Sequence, residues 1–136
     1  MRGTIAALLT VMVAAVLGGC SDHGDPLGVD NPPEGDDPVS YAADIQPIFD
    51  ANCIGCHGAG GNGGLDLRSG LSHANLVGVA ANTSGGVLVV TGDASNSVFS
   101  MRLAGSGVGV MPPSGPLPAS VLDLVDEWIN DGALNN

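Results

Sequence analysis

The chain contains no lysine. Its basic residues are Arg2, Arg68 and Arg102, set against 14 Asp and Glu in 136 residues, for a net charge of −11 at neutral pH. That balance argues against nucleic acid or anionic lipid head groups as charge-driven partners, and no nucleic-acid role is expected. A protein partner steered by charge would have to present a basic face, although the acidity can equally serve solubility alone. Aromatic residues are nearly as scarce, with one Trp, one Tyr and two Phe. Long apolar runs are missing too. The longest, at residues 4–17, falls short of the roughly 20 residues of a membrane span. No internal repeat is present. The length allows one domain at most.

What is present begins with an export pattern. Arg2 precedes the uncharged apolar run, giving the n-region and h-region of a signal peptide. The run ends in Leu17-Gly18-Gly19-Cys20, which resembles the bacterial lipobox. That resemblance implies a signal peptide over 1–19, diacylglycerol on the sulfur of Cys20, and an anchor in a membrane of the cell envelope, periplasmic or outer-membrane-associated. An ordinary signal peptide with a chance cysteine is the alternative. Residues 20–39 follow with six carboxylates and several Pro and Gly. They cannot bury enough apolar surface to offset ordering entropy and read as a tether. The folded domain is then 40–136, small enough to need a staple beyond its own core.

Within that domain Asp44 is expected to cap a short helix carrying Ile45, Ile48 and Phe49 on one face. Cys53-Ile54-Gly55-Cys56-His57 follows. The glycine-rich run 58–64 reads as a flexible loop matching no phosphate cradle. Leu71 to Val77 can form a short helix begun by Ser72. Val87 to Val90 is a brief apolar run, strand or buried extended chain. Ser95 is expected to cap a helix over Asn96–Ala104, ended by Gly105. The clearest element is a helix from about Ala119 to Asp131, with Val121, Leu122, Val125, Trp128 and Ile129 on its apolar stripe and Gly132 as its stop. Asp123, Asp126, Glu127 and Asp131 fall on its wet side. Asn82-Thr83-Ser84 matches a glycosylation sequon, which in a bacterial lipoprotein is chance.

C-x-x-C-H is the sequence form of covalent haem attachment. Two thiols must reach two vinyl groups on one side of a porphyrin, and the next residue must bring its imidazole beneath the iron. Two intervening residues on a helical turn meet both demands. The attachment assigned to Cys53 and Cys56, with His57 as an iron ligand, also needs an exported chain, which the leader supplies. Two other chemistries use similar cysteines. A thioredoxin-like pair wants a βαβ setting, which this chain lacks. A zinc site wants two more ligands, for which Cys20, His23 and His73 remain. For the second axial position the candidates are Met111, Met101 and His73. Met111 is favoured because glycines before it permit close approach and Pro112 and Pro113 hold the backbone behind it. Met101 is expected in the core and His73 at the surface or on the propionate side.

The runs YAADIQPIF (41–49), CIGCH (53–57), Gly92-Asp93 before Ser97, Met111-Pro112-Pro113, and Leu117 through Trp128-Ile129 to Ala133 resemble class I cytochrome c domains. They are closest to those of planctomycete and deltaproteobacterial exported proteins. The resemblance implies an all-α fold with crossed N- and C-terminal helices around one covalent haem c, held by His57 and Met111. It departs at Pro118, where a Ser or Thr cap is usual, and in lacking the lysine ring of mitochondrial relatives. An electron carrier or relay, not an enzyme, is the expected function, with a redox protein as partner. A haem-based sensor, a small peroxidase-like enzyme with a labile sixth position, and a non-redox surface-binding lipoprotein are the competing readings.

Overall fold

A computed structural model describes residues 38–136. The signal peptide, Cys20, His23 and nearly all of the tether lie outside the described residues. Within 38–136 the regular structure is helical, and the β-type pairings are isolated bridges without strands. The all-α expectation holds at that level.

The first helix starts earlier than its sequence suggests. Ser40, not Asp44, is the cap: its side chain accepts from the Ala43 N–H, and Asp44 Oδ2 accepts from the Ser40 N–H at 2.8 Å. The two side chains satisfy each other's backbone, so Asp44 works from inside the first turn. A widened turn over Tyr41–Ile45 then runs into α1 (Gln46–Asn52). Pro47, which has no N–H to donate, stands where the widened turn passes into α1. Ile45 and Phe49 are wholly buried on the expected face.

α2 (Ser72–Leu76) is a short helix, but Ser72 does not cap it. Its hydroxyl is buried, accepting from Tyr41 Oη at 2.6 Å and donating to Gln46 Oε1 at 2.5 Å. This chain of three polar groups joins α1 to α2 inside the core. Asp93 takes over the capping expected of Ser95, accepting from the Asn96 N–H to start a tight turn over Ala94–Asn96. α3 (Val98–Ala104) begins only after Ser97 and ends, as expected, at Gly105 with φ of 70°. Its first N–H groups donate to the carbonyls of Val87 and Leu88. The apolar run 87–90 is therefore bridge-forming chain, buried only at Val89, whose backbone helps to cap a helix.

α4 (Ala119–Asn130) buries Val125, Trp128 and Ile129. Asp126 is an exception to its wet face, being half-buried and accepting from Ser100 Oγ at 2.6 Å, which joins α3 to α4. Trp128 stands 5.2 Å from Tyr41, centroid to centroid, so the C-terminal helix packs on the start of the N-terminal one. Phe49 meets Phe99 edge-on at 5.5 Å. All four aromatic residues thus share one small core, where each buried ring stabilises by about 1.5–3 kcal/mol.

Candidate functional site

The chain leaves α1 by a turn that carries the two thiols. Cys53 and Ile54 donate N–H bonds to the Phe49 carbonyl, and Cys56 and His57 donate to that of Cys53. The glycine-rich run then folds back across this turn: Asn62 donates to the Cys56 carbonyl and Leu67 to that of His57. Gly61 is the closest approach, since a Cβ there would stand 2.8 Å from His57 Cα and 2.6 Å from the Leu65 oxygen. Free space is absent at that point, so flexibility does not describe this part of the loop. Its glycine is required by packing.

These segments form one wall of a cavity of about 370 Å³, within the size range of small-molecule and cofactor pockets. Cys53, Cys56 and His57 line it, as do the apolar side chains of Leu65, Leu67, Leu88, Phe99 and Leu103. Met111 joins them from the far end of the sequence. It is brought there by α3, because the Met111 N–H donates to the Arg102 carbonyl at 2.8 Å, just before the helix ends. The four residues singled out from sequence in this domain therefore share one cavity.

Met101 and His73 are not among its lining residues. Met101 is half-exposed on α3 rather than a core residue. His73 is half-buried and does not line the cavity. Its Nε2 lies 2.8 Å from the Ala133 oxygen and its ring stands edge-on to Tyr41 at 5.0 Å. A carbonyl can only accept, so Nε2 carries a proton and is committed to tying α2 to the residues after α4.

His57 presents the opposite condition. Its Nδ1 is buried and has no hydrogen-bond partner among the described residues. Leaving such a group unsatisfied costs about 1–3 kcal/mol. An imidazole not committed to a protein partner through that nitrogen, on the wall of a mostly apolar cavity beside two thiols, fits a haem that would take the thiols as thioethers and the imidazole as ligand. The Cys53 thiol does not fit the redox alternative. Burial pushes the Cys53 thiol up to about 11, whereas a reactive C-x-x-C pair needs a lowered value. Nor does a zinc donor set form: among the described residues no three His, Cys, Asp or Glu side chains cluster as metal ligands.

A family model described as planctomycete cytochrome C matches residues 53–115. The match supports a cytochrome c-type domain. The match takes in both thiols, His57, α2, α3 and Met111, and covers just under half of the 136 residues. No curated protein and no solved structure matches the chain. A cytochrome c-type domain implies haem c and suggests a haem-binding, electron-transferring role in an exported protein. Among the described residues no helix is long and apolar enough to cross a membrane.

Two features of the cytochrome c-type domain's cavity escaped the sequence. One is the tip of the loop between α2 and α3. Asn82, Thr83 and Ser84, dismissed as a chance sequon, lie on the cavity rim. The other is Arg102, which donates through Nη2 to Thr83 Oγ1 at 3.3 Å and Ser84 Oγ at 3.2 Å. An arginine without a carboxylate in so acidic a chain was the available signal.

Proposed function

We propose that the protein is a monohaem c-type cytochrome that relays electrons in the bacterial cell envelope. The observation that carries this reading is the meeting of Cys53, Cys56, His57 and Met111 on one apolar cavity. A haem bound there supplies one-electron chemistry between ferrous and ferric iron.

In this reading Cys53 and Cys56 would hold the group covalently, and His57 and Met111 would supply its iron ligands. With two ligands from the chain no position would be left for a substrate, which favours a carrier over a sensor or a peroxidase-like enzyme. Leu67, Phe99 and Leu103 would help to exclude water. Cys56 is exposed, so a group tethered through its sulfur reaches the protein surface, where a redox partner can approach. Cys20 would fasten the chain to a membrane through diacylglycerol, and the acidic surface would suit a partner with a basic face.

The test is the spectrum of the purified exported protein with a pyridine haemochrome assay. One covalent haem per chain, low-spin and six-coordinate when reduced, is expected. Cys53→Ala/Cys56→Ala should lose the covalent haem and melt at lower temperature, because the cavity walls would then face water. High-spin five-coordinate haem would favour the sensor or peroxidase, and a chain without haem would end the reading.

A further inference from the structure

Residues 38–136 carry two cations and eight carboxylates. The two arginines are used differently. Arg68 forms a forked ion pair with Asp66, with Nη2 2.7 Å from Oδ2. Arg102 makes no ion pair among the described residues, and its contacts are the two long bonds to the neutral hydroxyls of Thr83 and Ser84. A guanidinium presents five donors in a planar fork matched to carboxylates, and here most of that fork is unused.

Its position is as informative as its lack of partners. Arg102, Thr83 and Ser84 all line the cavity, while no Asp or Glu does. In a domain with four carboxylates for every cation, a cavity whose wall holds a guanidinium and no acid is electrostatically set apart from the rest of the surface. The remaining walls are mostly apolar, with the neutral amides of Asn52, Asn62, Asn75 and Asn82 among them. A ligand complementary to this surface is a largely hydrophobic group with an anionic edge.

We propose that Arg102, steadied by Thr83 and Ser84, is the anion-binding end of the cavity and holds the carboxylates on the acidic edge of the haem. The inference rests on the haem reading above. It gives Arg102 a positioning role through charge-assisted hydrogen bonds, which are about twice as strong as neutral ones. A fixed cation beside the porphyrin also opposes the gain of positive charge that oxidation brings, and so supports the reduced state. The backbone carbonyl of Arg102 holds the Met111 N–H whichever side chain stands at this position, so side-chain substitution leaves the methionine loop its anchor.

The experiment compares holo wild type with Arg102→Gln, Arg102→Lys and Thr83→Ala/Ser84→Ala. Covalent haem per chain, midpoint potential and the redox-induced infrared difference in the carboxylate region are measured on each. Unchanged haem content is expected throughout, since attachment belongs to Cys53 and Cys56. Arg102→Gln should lower the potential and shift the carboxylate bands, Arg102→Lys should restore most of the potential, and the double variant should shift the bands part of the way. If Arg102→Gln does not fold, the lysine and double variants decide by the same bands. Wild-type potential and bands in Arg102→Gln would overturn the proposal. So would an equal fall in the Gln and Lys variants with the bands unmoved, which marks a structural role. Wild type without covalent haem would instead sink the parent reading, a result the haemochrome assay reads separately.

Discussion

Met101 and Met111 stand ten residues apart, and their surroundings separate their roles. Met101 lies within α3, half-exposed and away from the cavity, while Met111 is on the cavity wall with its backbone tied to the end of that helix. The ferric protein should show a weak far-red sulfur-to-iron charge-transfer band. Met111→Ala should abolish it and lower the potential, because a thioether favours ferrous iron. Met101→Leu and His73→Ala should keep it, and a band surviving in Met111→Ala would remove Met111 as ligand. Tyr41 supports a second residue-scale expectation. Burial raises its phenol above the ordinary 10.0, opposed in part by its bond to Ser72 and aided by the charge of Asp50. The unfolded chain then loses this proton first as pH rises, so the stability Tyr41 contributes is complete below about pH 10 and is lost as pH climbs through the raised folded value. Denaturant midpoints measured from about pH 9 to 12 should fall in wild type, and this fall should be shallower in Tyr41→Phe.

At the scale of elements, the glycine-rich loop is the part whose form depends most on close contact. A methyl group at Gly61 would meet three atoms of the main chain, the Leu65 oxygen, His57 Cα and the Gly58 oxygen, between 2.6 and 2.9 Å. Main chain cannot rotate away as a flexible side chain does. Gly61→Ala should therefore cost about 1–3 kcal/mol in denaturant unfolding, and Gly60→Ala, with open space but φ of 68°, should cost less. Equal costs would show that conformation rather than space governs the loop. The contrast also marks what the sequence could reveal. The stripe on α4, the helix before Cys53 and the stop at Gly105 were legible, because periodicity and a left-handed glycine are local properties. The cap at Ser40 was not, since Ser40 and Asp44 carry the same chemistry within one turn and only their reciprocal bond decides between them. Nor was His73 at the Ala133 carbonyl, or Asn82 bound to the Gly63 oxygen across 19 positions. Those contacts exist only once the chain is closed.

For the whole molecule the governing quantity is charge. Residues 38–136 hold eight carboxylates and two arginines, and one arginine is already neutralised by Asp66. Asp123, Glu127 and Asp131 are exposed on and just beyond α4, and Asp50 is exposed on α1. If the haem is held as proposed, an approaching reagent meets a negative field on its way to the exposed Cys56. Over a Debye length of about 10 Å at 0.1 M salt such a field alters encounter rates while leaving the chemistry at the iron unchanged. Stopped-flow oxidation of the reduced protein should accordingly be faster with a cationic cobalt complex than with ferricyanide once driving force is allowed for. Raising ionic strength from about 0.01 to 0.5 M should slow the first reaction and speed the second, the two converging as screening becomes complete. If the field were irrelevant at the electron's exit, both rates would be flat with salt. A rate with the anionic oxidant that instead falls with salt would place the exit beside Arg102, the one described cation without an ion pair, and would locate docking on the cavity rim rather than at the thioether edge.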